Sequence, residues 1–216
     1  MKRNGAPFLR NGCAVLAEYA GNMEHVFKIV NADDLDSIDL FNNIDNLKDI
    51  TGESMAGYMT YGVWILFGRK PVGVWECLQV GQSSNIGSEI ISDVKCLSGE
   101  IKTKEGIEYI NQFGQKVPNY TYNVYLSPRE QIYEHVGKEY NKFVFVCICC
   151  GEIYKDEKKA IEKYAAWKFR ALFWRNGGSF KEAKENVQEP EDIENIKPTI
   201  KDNIDKMVKK YNEHIK

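Results

Sequence analysis

The chain has 216 residues, of which 43% are hydrophobic, 12% aromatic and 28% charged. That composition supports a packed core without disulfide help and excludes a low-complexity or disordered protein. Its 29 basic and 31 acidic residues give a formal net charge of −2, so a polyanion would have to be met by a local patch.

The basic start MKRNGAPFLRNGCAVLAEYAGN carries an apolar run that is short and broken by Glu18, which does not read as a signal peptide. No run is long enough to span a bilayer. The expectation is a cytoplasmic protein without a membrane partner, in which Cys13, Cys77, Cys96, Cys147, Cys149 and Cys150 are reduced thiols acting as small apolar residues. Zinc is not expected, because only three histidines accompany them, and simple alternation puts Cys147 and Cys149 on one face of a strand.

In chain order, residues 1–54 read as a partly helical N-terminal extension in which HVFKIVNA has the pattern of a strand. A central domain over 55–178 begins with YGVWILFG, an apolar, β-branched and aromatic run closed by Gly68 and the turn RKPVG. VWECLQVG answers it, and the two make a hairpin with Arg69 and Lys70 at its tip. After Gly81 the period changes to that of a helix, with Ile86, Ile90, Ile91 and Val94 on one side and Asn85 or a preceding serine as N-cap.

An insertion near 96–140 starts as a loop or weak hairpin and contains a short helix, PREQIYEHVGKEY, ending near Gly137. KFVFVCICC is the strongest strand and reads as central. KDEKKAIEKYAAWKFRALFWRNGG reads as a helix stopped by Gly177 and Gly178. The tail over 179–216 ends in the amphipathic stretch IKDNIDKMVKKYNEHI, suited to packing on the body or to pairing two copies as a homodimer.

On the wheel of the last central helix, Glu162 lies between Phe169 and Phe173, with Ala165 and Ala166 one turn on. A carboxylate inside an apolar half needs a hydrogen-bonding, cationic or metal partner. A nearby Lys or Tyr hydroxyl would satisfy it. So would Mg²⁺, or Mn²⁺ in its place, held through one carboxylate with waters completing the shell. Lys155, Lys158, Lys159, Lys163, Lys168, Arg170 and Arg175 surround this helix and, with Arg69 and Lys70, are the candidate phosphate contacts. Trp64, Trp75, Trp167 and Trp174 read as core, although one at a cleft edge could stack on a base.

The order hairpin, helix, central strand, helix, with Gly62-Val63-Trp64 on the first strand and Gln79-Val80-Gly81 before Gln82-Ser83-Ser84-Asn85 on the second, resembles the GIY-YIG nuclease family over about residues 58–178. The resemblance implies an α/β domain with a small mixed or antiparallel sheet flanked by helices, and Mg²⁺-dependent hydrolysis of DNA. It assigns Glu162 to the metal and Trp64, Gln79, Glu89 and Asn176 to site positions. It also marks departures, since Trp64 and Gln79 replace the family's tyrosines, Glu89 stands where an Arg clamps phosphate, and Asp93 falls where a His could be.

Two functional expectations follow, an altered endonuclease of restriction or repair type and an inactive module of the same fold that binds nucleic acid or protein. Tyr58 and Tyr61, just before the first motif, are the candidates to replace a missing phenol. Glu89 and Asp93, spaced i,i+4, read most simply as a solvated acidic pair, or else as a second metal-holding patch. Asp93-Val94-Lys95 with upstream Glu76 is a weaker match to the acid-x-Lys half-motif of another nuclease superfamily.

Overall fold

The computed structural model describes residues 24–34, 40–100, 109–110, 116–117, 133, 136–174 and 189–214. The elements are β1 (Val26–Asn31), β2 (Lys48–Asp49), a single-turn helix α1 (Gly52–Met55), β3 (Gly62–Arg69), β4 (Trp75–Ser83), α2 (Ile86–Leu97), β5 (Tyr109–Ile110), β6 (Lys116–Val117), β7 (Lys142–Cys150), α3 (Lys158–Phe169) and α4 (Pro198–His214), with short 3-10 turns between them. Five strands form one mixed sheet in the order β2-β1-β7-β3-β4, and β5 and β6 pair separately. The protein is α/β, a mixed sheet flanked by helices.

Residues 62–68 of β3 are all buried, as are 143–147 of β7, which is why both strands read as unbroken apolar runs rather than alternating ones. On one face Val63, Ile65 and Phe67 join Val144 and Val146 beneath α3 and α4. On the other, Trp64 and Leu66 join Phe143, Phe145 and Cys147 beneath Ile86, Ile90 and Leu97 of α2. Each large side chain buried this way contributes about 1.5–3 kcal/mol.

Helix α2 starts where the sequence places it. Asn85 Oδ1 accepts the Ser88 N–H at 3.0 Å, and the Ile86 N–H donates to Thr60 O at 3.1 Å, so the helix start is tied to the approach to β3.

The segment read as an N-terminal extension belongs to this core. Strand β1 pairs in parallel with β7 over six residues, and β2 pairs antiparallel with β1. Leu40, Phe41, Ile44 and Leu47 pack beneath the hairpin, and Phe41 O accepts the Trp75 Nε1–H at 2.9 Å. Residue 54 is therefore not a structural boundary, because the strand that completes β7 comes from before it.

Helix α3 is shorter than its apolar pattern suggests. It ends at Phe169 because Arg170 takes the left-handed conformation (φ 53°), and the following residues run along β4. There the Leu172 and Phe173 N–H groups donate to Cys77 O and Leu78 O at 3.0 and 2.8 Å. This segment satisfies a sheet edge that would otherwise be open. Gly177 and Gly178, read as the helix stop, lie outside the described residues.

The amphipathic tail buries Ile200, Ile204, Met207 and Tyr211 of α4 against its own chain, and Tyr211 Oη accepts the Cys77 N–H at 2.9 Å. Of the two uses expected for this apolar stripe, packing on the body is the one seen. The inserted helix falls largely outside the described residues, although Tyr133 and Val136 from it are buried in the α2 layer.

Gly81 faces Trp64 across the hairpin, and a Cβ there would come within 2.4 Å of the indole. The Gly81→Ala variant is expected to lose about 1–3 kcal/mol of stability through overpacking, read as a lower urea midpoint at unchanged m-value.

Candidate active site

Trp64 sits opposite Gly81 with its indole laid over that glycine, and it is 0% exposed. Phe145 tilts against it with ring centroids 5.8 Å apart. Gln79 is 8% exposed, and its Oε1 accepts the Val80 N–H at 3.2 Å. The register slips between Leu66 and Phe67, so that Leu66 faces Gln79 and Phe67 faces Cys77. This bulge turns Gln79 and Leu78 inward together. The two positions assigned to a catalytic phenol are therefore packing positions.

Glu89 is half-buried in the first turn of α2. Asp93 is 0% exposed and shares the inner stripe with Ile86, Ile90 and Leu97, so the pair is not a solvated acidic face. Asp93 lies two positions along the helix from Lys95, which is exposed and pairs with Glu100 at 3.8 Å. Glu76 on β4 accepts the Tyr140 hydroxyl at 2.6 Å, a bond that together with burial pushes the phenol's pKa upward. Asp93 is buried and Lys95 exposed on a helix rather than a strand, so the two do not share the face that the acid-x-Lys reading needs.

Glu162 is the fifth residue of α3 and is half-buried, on the helix side of the buried Ala165, Ala166 and Phe169. Of the stripe expected around it, Ala165, Ala166 and Phe169 are on α3 and buried, and only Phe173 lies past the Arg170 cap. Its Oε1 accepts the Trp174 Nε1–H at 3.0 Å. Trp174 had read simply as core. It is 7% exposed and reaches Glu162 because the strand-like run along β4 returns the chain to α3. A neutral donor on a carboxylate fixes its direction without removing its charge.

Lys158, one turn before Glu162, lies with its Nζ 5.5 Å from the Tyr61 ring centroid, and Lys155 Nζ lies 5.6 Å from the same ring. Desolvation first, and the Lys159 charge second, lower the Lys158 pKa, while Glu162 opposes them. Tyr61 thus stands on the Glu162 side of the fold. Tyr58 is half-buried elsewhere, near Cys147, Cys150 and Asp34, with its pKa raised chiefly by burial.

The other basic candidates are dispersed. Arg69 Nε donates to Gly73 O at 3.1 Å, and Lys70 pairs with Glu139 at 2.9 Å beneath the Tyr140 ring. This hairpin tip lies at the far end of β3, roughly 25 Å of strand from Gly62. Lys163 pairs with Asp192 at 3.0 Å. Arg170 is exposed at the end of α3 beside Glu76 and Tyr211. Arg175 and Asn176 lie outside the described residues.

Among the described residues no group of three or more His, Cys, Asp or Glu side chains could hold a metal ion. Glu162 fits a divalent ion as a single fixed anchor whose remaining ligands would be waters and phosphate oxygens.

The thiols depart from simple alternation. A second register slip, between Val63 and Trp64, inserts Ile148, so that Cys149 faces the α3 layer while Cys147 and Cys150 share the α2 layer. Cys147 and Cys150 have C-x-x-C spacing, which corrects the expectation that the six cysteines hold no such pair. The wholly buried Cys147 thiol is pushed up by desolvation and hydrogen-bonds Cys150, and that bond draws the Cys150 pKa down. Burial pushes Cys149 up to about 12.

No helix among the described residues is long and apolar enough to cross a membrane. The chain matches no protein-family model, no curated protein and no solved structure.

The thiol geometry gives a reactivity order. On brief exposure of the folded protein to iodoacetamide near neutral pH, Cys150 is expected to be alkylated before Cys77, Cys96, Cys147 and Cys149, as read by peptide mass mapping. Equal labelling of Cys147 would contradict the direction of the thiol hydrogen bond.

Proposed function

We propose that this chain is a divergent GIY-YIG-type endonuclease, a metal-dependent phosphodiesterase acting on DNA, with Glu162 as the carboxylate that holds Mg²⁺ or Mn²⁺. The observation that carries this reading is the half-buried Glu162 carboxylate, fixed by the Trp174 indole at 3.0 Å on a helix packed over a β3–β4 hairpin. The order of hairpin, α2, β7 and α3 supports it.

Hydrolysis of a phosphodiester needs an oriented water, neutralisation of phosphate charge and relief of charge on the leaving oxygen. A bound divalent ion supplies Lewis acidity and a more acidic water. The chain's own residues orient and enclose. Trp174 holds Glu162 in one direction, while Trp64 and Gln79 pack the hairpin that supports the site instead of touching substrate. Glu89 and Asn176 keep their proposed site positions, and Lys163, Arg170 and Arg175 with the Arg69–Lys70 tip remain the proposed DNA contacts.

A second reading has its own observation. Trp64 at 0% and Gln79 at 8% exposure leave the hairpin without an accessible phenol, as expected for a module that binds nucleic acid or protein without cutting it.

Incubation with plasmid, single-stranded DNA and RNA, with Mg²⁺ or Mn²⁺, separates the two. Cleavage is expected from the parent and a loss of at least about 100-fold from Glu162→Ala, in line with removal of a principal electrostatic group. Absence of cleavage by folded parent protein, with binding unchanged in Glu162→Ala, would overturn the nuclease in favour of the module.

A further inference from the structure

Lys158 and Lys159 open α3, where no acidic residue occupies the first turn and Glu157 makes no side-chain cap. Cations there oppose the helix dipole. Lys155 joins them from the preceding turn, and the Lys155 and Lys158 ammonium groups lie 5.6 and 5.5 Å from the centroid of one ring, Tyr61. The contrast with Lys197 is instructive. It also lies over a ring, Tyr154, at 5.6 Å, but its charge is met by Glu157 at 2.9 Å. Among the described residues Lys155 and Lys158 form no ion pair. A cation–π contact orients an ammonium group without neutralising it.

We infer that Lys155, Lys158 and Tyr61 form a phosphate-binding subsite for the nucleic-acid backbone, one helical turn from Glu162. The inference rests on the nucleic-acid reading above and adds where the strand is gripped. An oxyanion bound by these ammonium groups offsets the unfavourable charge at the start of α3. The Tyr61 ring holds both lysine stems in place, so little side-chain freedom is lost on binding. The hairpin tip, by contrast, already spends Lys70 on Glu139.

The test is fluorescence anisotropy of a labelled single-stranded or duplex 20-mer against the full chain in EDTA, over a range of salt. Lys155→Gln with Lys158→Gln is expected to weaken binding at low salt by at least about tenfold. It is also expected to flatten the plot of log affinity against log salt by about 1.5–2. The control pair Lys206→Gln with Lys209→Gln, on α4 and equal in charge change, is expected to flatten it less. Tyr61→Leu is expected to weaken binding and Tyr61→Phe to retain it.

Equal effects of the two lysine pairs would overturn the subsite. Displacement of the 20-mer from the parent by millimolar inorganic phosphate would overturn its assignment to nucleic acid in favour of a free phosphate. Cleavage that needs Glu162 while binding ignores Lys155 and Lys158 would overturn the subsite alone. Binding that needs the two lysines without any cleavage would sustain the subsite and overturn the nuclease.

Discussion

Strands β3 and β7 are buried on both faces, and this constraint governs the rest of the molecule. A strand with two apolar faces needs cover on both sides and partners on both edges, since its backbone donors and acceptors have no water to turn to. Helix α2 supplies one cover, and α3 with α4 the other. Strand β1 completes the outer edge of β7, and the run through Leu172 and Phe173 completes that of β4. The N- and C-terminal segments are therefore structural parts. Tyr211, near the end of the described chain, satisfies the Cys77 N–H beside the bulge in β4, so α4 anchors the irregularity that turns Gln79 inward.

The same constraint decides which positions remain available for chemistry. Once α2 seals the face bearing Trp64, a side chain on that face can reach substrate only by opening the core. Among the accessible described residues are Lys155 and Lys159 beside the start of α3 and Arg170 at its end. The indole of Trp174 connects the two requirements. It closes the β4 edge through its backbone neighbours and directs Glu162 through its ring N–H.

Much of the framework was legible in the sequence because its signals are local. The hairpin, the Asn85 cap, α2 and β7 all follow from periodicity and turn residues close together in the chain. What escaped was non-local or depended on a single dihedral. The parallel pairing of β1 with β7 joins segments more than one hundred residues apart, and HVFKIVNA gives no hint of its partner. The end of α3 rests on Arg170 adopting a left-handed conformation without a glycine. No pattern announced it, and the placing of Phe173 on the helix wheel followed from it. The cysteines show the same weakness. One inserted residue, Ile148, exchanges the faces of Cys149 and Cys150, because a strand's side-chain alternation is only as reliable as its register. At the candidate site the identity of Glu162 was readable, but the role of Trp174 was not, since it needs the chain reversal after Phe169.

Energetics bear on why a carboxylate stands at position 162 at all. Its neighbours on α3, Ile161 and Ala165, are wholly buried and carry the packing, and the hydrogen bond from Trp174 does not require that its acceptor be charged. Replacing both members of such a pair with apolar groups of similar shape is typically close to neutral, whereas a half-buried charge carries a standing desolvation cost. The fold is thus equally well served without an ionised group there. What the packing uses at position 162 is an acceptor for the Trp174 ring N–H, while the charge of that carboxylate acts on Lys158, one turn earlier on the same helix.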